Sequence, residues 1–228
     1  MGMKISCVWL MLAGVAMPSV QAWAAPKPDL VSRTWQLRFT YSKPEPIAVK
    51  DVDGQIRWYW FMAYMAVNET EVDRQFLPHF TIATEQGDII GANHDISPRV
   101  FDAIKQRLRN PLLESPMNVS GMLRQGQDQA KQSVAIWPSF KHDVDMLNVF
   151  VSGLSGETAH VLNPRTAKPI VDPQSLKQMV DPATGNPPIQ PRPLLLRKTL
   201  MLEYHLPGSV IHPQRQRLTL RKKRWVMR

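Results

Sequence analysis

Apolar and polar positions alternate along most of this chain with a period of two, the spacing of strands rather than helices. Trp35, Leu37, Phe39 and Tyr41 alternate with Gln36, Arg38 and Thr40. That predicts a half-buried strand, stopped by Pro44 and Pro46. Residues 47–49 make a short second run, and Asp51-Val52-Asp53-Gly54 makes a turn. From Ile56 to Val67 both faces are apolar. Ile56, Trp58, Trp60, Met62, Tyr64 and Ala66 fall on one, and Tyr59, Phe61, Ala63, Met65 and Val67 on the other. Such a strand belongs at the centre of a sheet, covered on both sides. Asn68-Glu69-Thr70 ends it. Residues 80–84 and 88–90 flank Gln86-Gly87 as a hairpin. Residues 134–137 and 146–152 predict two further strands, the second with Leu147, Val149 and Val151 on one face.

One helix fits the pattern. Ser97 is a suitable N-cap, Pro98 takes the first helical position, and Val100, Phe101, Ile104 and Leu108 form an apolar stripe before Asn110-Pro111 ends it. Residues 164–193 hold eight prolines (Pro164, Pro169, Pro173, Pro182, Pro187, Pro188, Pro191, Pro193). This composition predicts an extended surface excursion over 163–193 rather than a sheet interior. Leu194, Leu196, Leu200, Leu202 and Tyr204 then alternate with Arg197, Thr199 and Glu203, and a last strand runs through Leu218 and Leu220 toward Trp225. About nine strands and one helix predict a mainly β fold, an antiparallel immunoglobulin-like β-sandwich. The strands of 194–228 must return across the proline-rich segment to find partners, so 25–228 reads as one domain.

The first 24 residues stand apart from that pattern. Lys4 precedes an apolar run from Ile5 to Ala16, a Pro18-Ser19 break and Ala22-Trp23-Ala24. This is the layout of a signal peptide cleaved after Ala24, residues 1–24; an uncut anchor is the alternative. The expected location is exported: periplasmic, cell-surface or extracellular. Cys7, the only cysteine, lies inside that segment. Thiolate catalysis, disulfides and cysteine-ligated metals are therefore excluded from 25–228.

Charge is distributed unevenly. Residues 192–228 carry ten Lys/Arg against the single acid Glu203, whereas 25–191 carry 17 basic and 18 acidic residues. A basic edge of this kind attracts polyanions such as anionic lipid or acidic glycan. Export makes nucleic acid an unnatural partner. The candidate polyanion-binding residues are Arg215, Arg217, Arg221, Lys222, Lys223, Arg224 and Arg228. The other reading of the same charge is an edge protected against sheet-to-sheet pairing. Along a regular strand Arg221 to Arg224 would alternate sides. A bulge near Lys222-Lys223 would turn the cations outward and still let Trp225 pack.

Trp58-Tyr59-Trp60 leading to Val67-Asn68-Glu69-Thr70, then Phe76-Leu77-Pro78, Val151-Ser152-Gly153-Leu154-Ser155, Arg197-Lys198-Thr199-Leu200 and Trp225-Val226-Met227-Arg228 follow one another in order. Together they resemble a set of uncharacterised secreted proteins of planctomycete-type bacteria. The resemblance covers most of 25–228 and implies an envelope location. It carries over no activity and no catalytic residue.

Several constellations invite chemistry. Ser152-Gly153-Leu154-Ser155-Gly156-Glu157 approaches a nucleophile elbow, but Glu157 stands where the second glycine belongs. His142-Asp143-Val144-Asp145 and His94-Asp95 are two His-Asp groups; Asp143 and Asp145 could share a hard cation, or all could be solvated loop residues. Asn68-Glu69-Thr70 and Asn118-Val119-Ser120 fit the glycosylation acceptor pattern. The aromatics of 58–64 could form a sugar platform, but they occupy both faces of an apolar strand, the distribution of a core. No cofactor motif is found. The leading expectation is a non-enzymatic exported sandwich, a structural or interaction module of the envelope whose partner is an envelope protein or an acidic polymer. Polyanion binding by the basic edge is the alternative. A hydrolase with a His/Asp site is the third.

Overall fold

The structure is a computed structural model that describes residues 26–28, 34–50, 53–140, 144–169, 189–206 and 218–228, side chains of 162–169 and 189–193 aside. Residues 1–24, and with them the expected signal peptide, lie outside it. The expected class holds: mainly β, antiparallel, with one helix.

The longest apolar strand organises the first sheet. β3 (Ile56–Val67) pairs antiparallel with β8 (Lys131–Pro138) along one edge. On its other edge β1 (Arg38–Tyr41) and β2 (Glu45–Lys50) lie end to end. The prolines that stop β1 leave a gap between them, and Ser42 fills it. Its N–H donates to the Ala63 carbonyl (2.8 Å), and its Oγ accepts from the Ala63 N–H (3.1 Å).

The second sheet runs in the order β6 (Ile89–Gly91), β5 (His79–Thr84), β9 (Met146–Ser152), β11 (Ile189–His205), β12 (Thr219–Met227). β10 (Thr158–Pro169) continues the line of β9 along β11, pairing Thr158 with Arg197 through Pro169 with Ile189. The two ends of the proline-rich excursion expected over 163–193 form a paired ribbon, and 170–188 lie outside the described residues. Proline is tolerated there because a two-stranded ribbon leaves every second N–H facing outward. β4 (Arg74–Phe76) and β7 (Gly121–Leu123) form a small separate pair.

The sheets face each other across one core. Trp60, Met62, Tyr64 and Ala66 of β3 meet Phe80, Ile82, Val149, Leu202 and Tyr204 of the second sheet. The opposite face of the first sheet is also dry. Phe61, Val134 and Ile136 pack with Ile47, Val49, Leu113 and the helix α1 (Pro98–Leu108) through Val100 and Ile104. From Trp60 onward β3 is thus covered on both sides, as its two apolar faces predict. Trp60, Phe61 and Tyr64 are core rather than a platform, whereas Trp58 is half-buried and belongs to neither packed cluster. Ser97 sits at the expected N-cap position but makes no side-chain capping bond. The layers are helix, sheet and sheet, which leaves the outer face of the second sheet without a packed layer among the described residues.

Candidate functional site

β12 reads Leu218-Thr219-Leu220-Arg221-Lys222-Lys223-Arg224-Trp225-Val226-Met227-Arg228 with its flanking residues. Leu218 is buried in the core, and Leu220 stands on the same side, opposite core-facing Tyr204, with its side chain still exposed. Trp225 also packs against the core, opposite Leu200. The first two positions are even and the third is odd, so a regular strand cannot send all three inward. The pairing steps from Tyr204 with Leu220 to Glu203 with Lys222, leaving Arg221 as the extra residue of a bulge. The expected bulge is present, one residue before Lys222.

Beyond the bulge the cations separate by face. Lys222, Arg224 and Arg228 stand opposite Glu203, Met201 and Arg197 on the outer face of the sheet. Lys223 stands opposite core-facing Leu202, at the open rim between the sheets, with Nζ 5.4 Å from the centre of the Tyr41 ring. All four residues from Arg221 to Arg224 are exposed. Arg224 Nε donates to Met201 Sδ at 3.3 Å, and the Arg228 guanidinium lies 4.2 Å from the centre of the Phe150 ring. Arg215 and Arg217 lie outside the described residues.

Alternation on the neighbouring strands completes this face. β9 contributes Asn148, Phe150 and Ser152, and β11 contributes Arg197, Thr199, Met201 and Glu203. The outer face of β11 and β12 therefore presents Arg197, Lys222, Arg224 and Arg228 against one acidic side chain, Glu203. Arg197 enters here as a site residue that the basic-tail reading left out. Its signal is its odd position beside the core-facing even positions Leu200, Leu202 and Tyr204, which sends it outward.

Lys198 has the opposite fate. It shares the parity of Leu200 and Leu202, and its ammonium is buried against Glu157 (Nζ to Oε2, 2.8 Å) and above Trp225 (5.4 Å). Glu157, the residue that breaks the elbow pattern, is thus an internal counter-ion. Removing either partner would strand a buried charge. Gly153 in the same turn has φ +84°, and a Cβ there would lie 2.2 Å from the Leu77 carbonyl oxygen. The turn is glycine for a steric reason, and Ser155 serves it by accepting the Glu157 N–H (3.2 Å) and donating to the Trp35 carbonyl (3.1 Å).

His94 and Asp95 line a hollow of about 600 Å³ with Trp58, Tyr59 and Ser139. His142 and Asp143 fall outside the described residues, so the second His-Asp group is not placed. Among the described residues no three His, Cys, Asp or Glu side chains cluster to hold a metal. Asn68 is 0% exposed. Its Nδ2 donates to the Val72 and Leu123 carbonyls (2.9 and 3.0 Å), and its Oδ1 accepts from the N–H and hydroxyl of Thr70 (3.0 and 2.7 Å). The acceptor nitrogen of that glycosylation pattern is consumed by the fold. No helix among the described residues is long and apolar enough to cross a membrane. No protein-family model, curated protein or solved structure matches this chain.

Proposed function

We propose that this protein is an exported, non-enzymatic binding module of the cell envelope that holds an acidic polymer against the outer face of its second sheet. The observation that carries the reading is the outward row of Lys222, Arg224 and Arg228 beside Arg197, with Glu203 as its one acidic side chain. Cations held along one face of a strand act together on a polymer, whereas an isolated surface cation is largely screened. The signal-like segment 1–24 supports export.

The test uses the chain without residues 1–24 on immobilised dextran sulfate, with acidic and neutral vesicles in parallel. Retention at low salt should fall as salt rises. The double variant Lys222→Gln, Arg224→Gln should bind roughly thirtyfold more weakly, at about 1 kcal/mol per cation. Lys223→Gln should weaken binding less, because that side chain is directed to the rim over Tyr41. No retention at low salt, or equal loss from all three positions, would overturn the face-specific reading. Retention on acidic vesicles alone would move the partner from polymer to lipid.

A further inference from the structure

We propose that one end of this cationic face is a seat for a single tetrahedral oxyanion group, a phosphate or sulfate ester, built on Arg197 and Arg228. The inference rests on the binding reading above and adds a discrete pocket to it.

Arg197 and Arg228 occupy one rung of the β11–β12 ladder and exchange both main-chain hydrogen bonds, N–H to O, at 2.7 and 3.1 Å. In such a rung the two Cα atoms are about 5.5 Å apart. Like charges placed directly opposite destabilise a sheet. Among the described residues neither guanidinium has an ion-pair partner; the carboxylates engaged with cations are Glu45, Asp53, Glu69 and Glu157. A directly opposed arginine pair whose guanidinium groups make no ion pair is a feature that a bound anion would relieve, beside the α-carboxylate that Arg228 carries as the last residue of the sequence.

The surroundings suit that anion. A hollow of about 250 Å³ is lined by His79, Thr81, Phe150, Ser152, Arg197, Thr199 and Arg228, with no acidic side chain. A water takes roughly 30 Å³ in the liquid, so the hollow admits a phosphate group and the first atoms of its ester. Arg228 stacks on Phe150 at 4.2 Å. Stacking fixes the guanidinium plane and leaves its N–H edge available for bidentate contact with an oxyanion. His79 pairs with Ser152, and Ser152 and Thr199 lie one residue beyond the Val151–Leu200 pair. The Thr199 hydroxyl donates to the Arg197 carbonyl at 3.0 Å, anchoring the strand under the pocket. Ser152 and His79 add hydrogen-bond donors beside the two guanidinium groups. Donors converging on one small hollow select a compact group; an extended polymer alone would need only the open row.

The experiment measures the melting temperature of the chain without residues 1–24 in sodium phosphate, sodium sulfate and sodium chloride at matched ionic strength, with amide chemical shifts followed during the phosphate titration. Phosphate and sulfate should stabilise more than chloride, with shifts centred on Ser152, Thr199 and Arg197. Arg197→Gln should bind phosphate at least about tenfold more weakly and should melt no lower than wild type in chloride, since it relieves a like-charge rung. Arg197→Lys keeps the charge, loses the fork, and should still weaken phosphate binding. Lys222→Gln with Arg224→Gln should keep the phosphate response while losing dextran sulfate retention. Equal stabilisation by phosphate and chloride, or an unchanged response in Arg197→Gln, would overturn the seat. Retention on dextran sulfate without a phosphate response removes the seat and leaves the wider reading. A phosphate response without retention does the reverse. Competition by glucose 6-phosphate, against competition by phosphatidic acid vesicles, separates a sugar ester from a lipid headgroup as the source of the group, and either confirms the seat.

Discussion

β3 and β12 are both long antiparallel strands, and they live under opposite conditions. β3 has partners on both edges and packed layers on both faces, and Trp60, Phe61, Met62, Tyr64, Ala66 and Val67 are buried. β12 has one paired edge and one covered face, and its first six residues are exposed. The difference is one of neighbours rather than of strand geometry. Where a strand is surrounded, each apolar side chain adds to a shared core. Where it is an edge, charge replaces packing, which discourages pairing with other chains and leaves donors available to a ligand.

The largest expected effect lies on β3. Trp60 is buried and stacks on Phe140 with ring centres 5.7 Å apart. Trp60→Ala should cost about 3–5 kcal/mol in denaturant unfolding. A loss below about 1 kcal/mol would mean that β3 is not the centre of the core. A middle-sized effect comes from alkali. Burial raises the phenol of Tyr64 on β3 and that of Tyr204 on β11 above the ordinary tyrosine value, with the Ser133 hydrogen bond at Tyr64 acting in the lowering direction. The unfolded chain then releases these protons first. Stability should therefore be unaffected below about pH 10 and fall above it, by up to roughly 1.4 kcal/mol per pH unit for each phenol. Unfolding titrations between pH 8 and 11 would show this, and Tyr64→Phe with Tyr204→Phe should flatten the decline. The smallest effect lies on β12. Lys222→Gln and Arg224→Gln should each move stability by no more than about 0.5 kcal/mol, even as binding falls. A large loss of stability would place those side chains in structural pairs and erase the contrast between the two strands.

Much of this contrast was readable from parity. The two apolar faces of 56–67 place β3 between layers, and the even positions 200, 202 and 204 face inward as alternation requires. The same rule points Lys198 inward and Arg197 outward, yet a charge count merges them. Counting registers net charge, whereas alternation registers direction. Three things were not legible. The pairing of 158–169 with 189–197 depends on contacts across the proline-rich segment, and composition signals only that such a segment is poor in donors. β4 and β7 are three residues each, too short for any period. The rung that opposes Arg197 and Arg228 is a long-range register, set by where β12 docks rather than by anything near either arginine. Asn68 shows the reverse case: its local pattern suggested an acceptor on the surface, and the burial of its amide follows from Leu123, 55 residues away.

The bulge at Arg221 sets one residue of β12 outside the alternation that decides which neighbours point inward. The exposed Arg221, which takes no place in the ladder, could become almost any other amino acid without changing that facing. Its deletion would close the bulge: Leu220 and Lys222 would become consecutive, as their partners Tyr204 and Glu203 already are, and Lys222 and Trp225 would keep the sides they hold now. In genetic terms this position joins two kinds of lesion that usually part company. A missense change there and loss of its single codon should both leave the outward-facing and core-facing sides of the strand in place.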